Sequence, residues 1–251
     1  MNHKKHITAI SLAVILFISG CVMIDSLNGV ETYGEQQTVI GSGRIVSIPL
    51  DFTHFKRISV SHAFKARVSR SNTYSVTVRI DDNIEQYLRA YQSGDEIFIG
   101  LENNSYRNTT QEVTIDMPDV EQINISGAVS VRLDGFVLDH AVGFAGSGSS
   151  IISGNLVASE VTFALSGSST VELTGSSNSL LVNGAGATLL YLFDFPVKDC
   201  RANLSGSSAS NVSVSDNLEV ALSGGSVFRY KGNPEVRIIS ISGGSIIQKV
   251  G

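Results

Sequence analysis

From residue 123 onward, apolar and polar residues alternate in short runs, and the runs repeat. Val161, Phe163 and Leu165 alternate with Thr162 and Ala164; after a small polar segment, Val171 and Leu173 alternate with Thr170 and Glu172. A period of two predicts strands with one buried face. Between the runs lie SGSS (166–169) and TGSSN (174–178), turn-forming compositions that oppose a helix. Each unit is therefore expected to hold two strands and two turns.

The unit recurs as INISGAVS at 123–130, FAGSGSSI at 144–151, FALSGSST at 163–170 and VNGAGATL at 182–189. It returns as ANLSGSSA at 202–209, VALSGGSV at 220–227 and ISISGGSI at 239–246. With Gly127, Gly148, Gly167, Gly186, Gly206, Gly225 and Gly244 as reference points, the spacings are 21, 19, 19, 20, 19 and 19. A fixed period of this length marks stacked repeats. If each unit makes one full turn, equivalent strands lie parallel at ~4.8 Å, and parallel crossovers are right-handed in about 98% of cases. The expected fold is all-β, a right-handed parallel β-solenoid (β-helix) with coils of about 19 residues. The repeated glycine supplies positive φ or close backbone approach at a corner, and the serines hydrogen-bond their own turns. The alternative for the serines is a surface ladder that binds ice or a glycan.

The chain ahead of the repeats has a different texture. RISVSHAFKARVSRS (57–71) matches 122–135 position by position, with Ile58 on Ile123, Val60 on Ile125, His62 on Gly127, Ala63 on Ala128 and Phe64 on Val129. It reads as a divergent first coil. SVTVRI (75–80), EIFIGL (96–101) and EVTIDM (112–117) read as strands. Ile84, Tyr87, Leu88 and Tyr91 fall at helical spacing, with Asp82 and Glu85 placed to cap and Gly94 to end a short helix. This N-terminal β-rich part, with its one helix, is expected to cap the solenoid and cover its end strand. Tyr87 and Tyr91 belong to its core in this reading. GSG (41–43) is a turn rather than a nucleotide site, since no third glycine and helix follow.

Composition adds a compartment. MNHKKH followed by the twelve-residue apolar run 7–18 is too short to span a bilayer and reads as a signal peptide. Ile18-Ser19-Gly20-Cys21 then has the form of a bacterial lipobox, with Cys21 as the lipidated residue. Val22 after it is the pattern associated with sorting to the outer membrane. The expected organisation is a signal peptide at 1–20, the lipidated cysteine and tether at 21–43, the cap and first coil or coils at 44–122, and Ser/Gly-rich repeats at 123–251. Seventeen of the 24 glycines fall in the last segment, which sets that boundary. With Cys21 lipidated, Cys200 has no partner, which leaves no disulfide and no cysteine-based zinc site; Cys200 reads as a small half-buried residue. The chain carries −5 net charge, or −7 without residues 1–20, and has no basic cluster, so nucleic acid is not an expected partner.

These features together resemble the bacterial family called "putative auto-transporter adhesin, head GIN domain", or DUF2807. The resemblance rests on the lipobox, GSGRIV, FKRISVSHAFKARVSRSNTYSVTVRIDDNIEQYL, MPDVEQINISGAVSV and the Ser-Gly repeats, and covers about residues 41–251. It implies a β-solenoid on an exported protein. An autotransporter would end in a membrane-spanning β anchor; this sequence ends at Gly251 just after a repeat, so the lipid on Cys21 is expected to anchor it instead.

Catalytic patterns are not evident. The carboxylates of the repeats (Asp134, Asp139, Glu160, Glu172, Asp194, Asp199, Asp216, Glu219 and Glu235) form no ladder, and no GxSxG, HExxH or calcium-roll GGxGxD pattern occurs. Asp139-His140, the only His–carboxylate neighbours in the repeats, need not converge. Neither a cofactor nor a metal is expected. The binding candidate is LLYLFDFP (189–196): with Leu190 and Leu192 inward, Tyr191, Phe193 and Phe195 would face out, and Tyr230 would share that face. Exposed aromatics stack on sugars or anchor proteins. The reading is a non-catalytic envelope lipoprotein, lipid-anchored at the outer membrane, whose ligand is a glycan or an envelope protein. The alternatives are a scaffold that forms homo-oligomers through the strand near Ile246–Val250, and a polysaccharide-active enzyme.

Overall fold

The computed structural model describes residues 37–251; the expected signal peptide, Cys21 and the expected tether up to residue 36 lie outside the described residues. Two ladders of parallel strands face one another across a single apolar core. In the first ladder, successive strands place Ile123 beside Phe144, Phe144 beside Phe163, Phe163 beside Val182 and Val182 beside Ala202. In the second, Val131, Ile152, Val171, Leu190, Ser210 and Phe228 follow one another in register. Inward residues alternate with outward ones as the period of two requires. Phe144 and Phe163 stack at 5.1 Å between ring centroids, one coil on the next.

The SGSS corner is a backbone column. Gly127, Gly148, Gly167, Gly186, Gly206, Gly224 and Gly243 all have positive φ, and His62 heads the same column at φ 71. The residue after each glycine donates its amide to the glycine carbonyl of the preceding coil, as Ser168 does to Gly148 at 2.7 Å and Gly225 to Gly206 at 2.7 Å. In the two SGG corners the first glycine, not the second, occupies the column, so the repeat is anchored at Gly224 and Gly243 rather than Gly225 and Gly244.

The second corner differs from expectation. TGSSN is not a break: Ile151–Leu165, Thr170–Gly184, Leu189–Leu204 and Ala209–Leu222 are each one strand that bends through the corner and continues from one ladder into the other. Parallel pairing keeps one register through the bend between Ile151–Leu165 and Thr170–Gly184 and holds the backbone extended there, whereas the register shifts at the bend on both sides of Leu189–Leu204. Gly154 and Gly175 mark it, because a β-carbon there would run into the carbonyl of the coil below.

The N-terminal part is built into the same stack. Ile58 pairs with Ile123 and Val60 with Ile125, the alignment that the internal sequence match gives. That coil is first in sequence but not at the end of the stack. Arg57–Val60 lies between Glu96–Leu101 and Gln122–Gly127, and Lys65–Arg70 lies between Gln111–Met117 and Ser130–Val137. The chain leaves after the first coil, builds the end, and returns to stack on the coil's other face. Antiparallel strands close that end: Leu88–Ser93 on Glu96–Leu101, and Ile45–Leu50 on Ser75–Asp81 on Gln111–Met117.

The expected helix is shorter than its spacing suggests. Asp82–Tyr87 is a 3-10 turn, and Leu88–Ser93 is a strand, drawn into a hairpin with Glu96–Leu101 through Gly94 at φ 60. Asp82 does not cap; its carboxylate pairs with Arg44 and accepts from the Ser42 hydroxyl. Tyr87 packs half-buried on the core, whereas Tyr91 is exposed and stacks on Phe98 at 5.1 Å. Asp81, buried at the end of its strand, accepts the amides of Gly43 and Thr110 at 2.6 Å each and so holds the 41–43 turn to the end of the stack.

Candidate functional site

The column of turn hydroxyls is structural. Ser150, Ser169, Thr188, Ser208 and Ser226 are buried, and each donates to the carbonyl three residues back, as Ser169 does to Ser166 at 3.0 Å. Ser149, Ser168 and Ser207 face solvent, but Ala187, Gly225 and Gly244 interrupt their row.

The aromatic segment is split by a bulge. Leu192 pairs with Val212 and Val197 with Val214, so the four residues 193–196 stand opposite Ser213 alone. Phe193 and Asp194 both leave the core side, the alternation resets, and Phe195 turns inward to 0% exposure. Phe195 is thus a core residue and not available to a ligand. Tyr230 also departs from the expected face. It lies in register with Val212 and Leu192, the inward row, and packs half-buried against the core. Tyr191 faces out at 48% exposure, in a row with Glu172, Asn211 and Arg229. Phe193 is half-buried beneath Lys231, whose Nζ sits 4.4 Å from its ring centroid.

The concave site lies next to this bulge. A groove of about 910 Å³ runs along the stack where the second corners line up, with contributions from 138–139, 157–159, 176–178, 196–198, 213–215 and 231–233. Six successive coils thus supply one segment each. Its floor is apolar, with Ala158, Val197 and Val214 almost fully buried. Its rim carries hydroxyl and amide side chains, including Ser159, Ser176, Asn178, Ser215 and Asn233. The Ser213 hydroxyl donates to the Phe193 carbonyl at 2.8 Å and fixes the bulge that forms one wall. The volume is in the range of ligand sites, about 300–1,000 Å³. The sequence could not show this groove, because each coil contributes only two or three residues to it and they meet only on stacking. The one linear signal is the extra length of the 189–198 coil.

The groove has little acid–base chemistry. Asp139 is its only carboxylate, and Lys198 and Lys231, from other coils, are its cations. Glycoside hydrolysis generally requires a pair of carboxylates. The hydrogen bonds of His140 do not go to its neighbour Asp139. Its Nε2 bonds Asp119 at 2.6 Å and its Nδ1 the Ala141 carbonyl at 3.0 Å, while Lys56 bridges Asp119 at 3.1 Å and Glu121 at 2.8 Å. Two acceptors on one ring favour the imidazolium, so the Ala141 carbonyl, and then Asp119, raise the His140 pKa against its partial burial. Burial raises the Cys200 thiol to about 12, and the residue is 3% exposed rather than half-buried. Among the described residues, no three His, Cys, Asp or Glu side chains gather as a metal site. No helix among them is long and apolar enough to cross a membrane.

The family model for "putative auto-transporter adhesin, head GIN domain" matches residues 54–234. The chain belongs to this family. Its fold is shared with solved structures of low identity. A putative adhesin from Bacteroides fragilis superposes with a TM-score of 0.79 at 16% identity, over 84% of this chain and 100% of that one. One from Parabacteroides distasonis gives 0.69 at 18%, over 85% and 100%. A protein from the same species described as a putative lipid binding protein gives 0.67 at 19%, over 86% and 100%. No curated protein matches the chain significantly. The head GIN family and these neighbours are described by adhesion or lipid binding rather than by enzymatic activity.

Proposed function

We propose that this head GIN protein is a non-catalytic, lipid-anchored envelope module of adhesin type, and that it binds an extended glycan along the groove of second corners. The observation that carries the reading is the groove itself: a long trough with an apolar floor, a rim mostly of neutral hydroxyls and amides, one carboxylate and two lysines. Such a lining suits a polyhydroxylated chain, with hydrogen bonds from the rim and ring faces on the floor. Protein interfaces instead concentrate Trp, Tyr, Met and Arg, and none of these lines the groove. A solenoid also presents equivalent groups at a regular rise of ~4.8 Å, which matches a repeating polymer. Membership in an adhesin family agrees with an extracellular or envelope setting, and the lipobox at Cys21 supplies the anchor in this reading.

The test is a glycan-array screen of the detergent-solubilised full chain beside Asn178→Trp, which fills the groove from its exposed rim, and Tyr191→Ala on the outward sheet face. Binding lost in Asn178→Trp and kept in Tyr191→Ala supports the groove. Loss in Tyr191→Ala alone moves the site to the sheet face. No glycan bound by the parent chain overturns the reading.

A further inference from the structure

Within the groove, charge is distributed unevenly. Lys198 and Lys231 are its only cations, and both come from the stretch around the bulge. Neither makes an ion pair with another described residue. Lys231 is held in place all the same. Its ammonium rests on the Phe193 ring at 4.4 Å, reaching across the short coil that contributes only Ser213 at this point. The aromatic face positions the cation without neutralising it, which leaves its donors open to a ligand. Lys198 lies two residues past the bulge, at a second shift in register, and is exposed. The two segments are two coils apart, or about 10 Å along the stack at twice the strand spacing. Asp139, the only anion of the lining, comes from the first of the six contributing segments, three coils before Lys198. On a chain of net charge −5, the groove lining thus holds two cations to one anion, while Asp194, Asp199 and Asp216 stand next to it in the chain and outside the lining.

We infer that the groove selects anionic linear glycans, whose carboxylate or phosphate groups meet Lys198 and Lys231 while the neutral part of the chain runs on over Ser176 and Asn178. The inference rests on the glycan reading above and adds the ligand's charge. An acidic group at the lysine end gains a charge-assisted hydrogen bond, whereas the Asp139 end repels a second one. The ligand is therefore expected to bind in one direction.

The experiment is titration calorimetry of the full chain with four probes: an oligogalacturonate, its carboxyl-reduced neutral counterpart, a phosphodiester-linked glycan and a neutral malto-oligosaccharide. Lys198→Gln, Lys231→Gln, Lys231→Arg and Asn178→Trp are measured in parallel, with circular dichroism to confirm that each folds. The expected result is binding of one or both anionic probes, weakened about tenfold or more by either glutamine substitution, retained in Lys231→Arg, and weakened as salt rises. The two anionic probes separate uronate from phosphate ligands. Equal binding of neutral and anionic probes, unaffected by the glutamine variants but blocked by Asn178→Trp, overturns the charge selection and leaves the groove reading intact. Binding that Asn178→Trp does not reduce, or no binding of any probe, overturns both.

Discussion

The α-carbon of Gly224 sits directly on the carbonyl of Gly206: a β-carbon built at Gly224 would lie 2.5 Å from that oxygen. The same relationship links each glycine of the column to the residue below, His62 under Gly127 and a glycine elsewhere, and the neighbouring amide closes a hydrogen bond of 2.6 to 2.8 Å to the same carbonyl. The corner is a continuous backbone contact, so a side chain there has nowhere to go.

Two adjacent glycines make this testable. Gly224→Ala combines positive-φ strain of about 1–2 kcal/mol with a clash against backbone, and is expected to cost about 2–4 kcal/mol in chemical denaturation. Gly225, in the next position, has ordinary φ and only one atom within 4 Å, at 3.9 Å. Gly225→Ala is expected to stay within about 0.5 kcal/mol. Equal costs would sink the assignment of the column.

Hydroxyls in the same corner have position-specific roles. Ser169→Ala removes a buried donor from the Ser166 carbonyl and is expected to destabilise by about 1 kcal/mol. Ser168→Ala, one residue away and solvent-facing, is expected to change stability by a few tenths of a kcal/mol at most. Urea melts of both variants decide the point.

One buried serine breaks this rule. Ser210 lies in the inward row between Leu190 and Phe228, 0% exposed, and its hydroxyl has no partner. Leaving a buried hydroxyl unpaired costs about 1–3 kcal/mol. Ser210→Ala is therefore expected to stabilise the protein by about 1 kcal/mol, read as a higher denaturation midpoint with an unchanged slope. A destabilised variant would refute the account.

His140 gives the stack a pH dependence near its start. Its folded pKa is raised by the Ala141 carbonyl and by Asp119. The stabilisation is therefore fully present below the unfolded value of about 6.5 and is lost as pH rises through the higher folded value. The melting temperature of the parent chain should exceed that of His140→Gln most at pH values below that unfolded value, with the gap closing as the medium turns alkaline. A gap that widens with pH would contradict the pairing.

Cys200 is expected to be inert. With its thiol raised to about 12 by burial, almost no thiolate exists at neutral pH. A thiol-reactive dye should label the native protein at Cys200 only as fast as it unfolds, and label it at once in denaturant.

Much of the fold was legible in the chain. The alternation of Val161, Phe163 and Leu165, the returning Ser-Gly corner and the match of 57–71 to 122–135 are local facts, and they dictate strands, coil length and register. A period of two leaves each strand one buried face, and a glycine column tolerates one alignment of coils. The sequence alone also pointed to the family and to the unusual 189–196 coil. Stacking decided the rest. It set which glycine of each SGG pair entered the column, and it drew the helix-patterned residues after Tyr87 into a hairpin, since cross-strand pairing outweighs a weak local preference. Insertion of coil 57–70 between two later ones also depended on it, and it kept the second corner extended. Phe195 turned inward because a bulge is measured against the neighbouring coil, which no linear pattern contains. For the same reason the groove and its two lysines, drawn from residues far apart in the chain, exist only once the coils lie on one another.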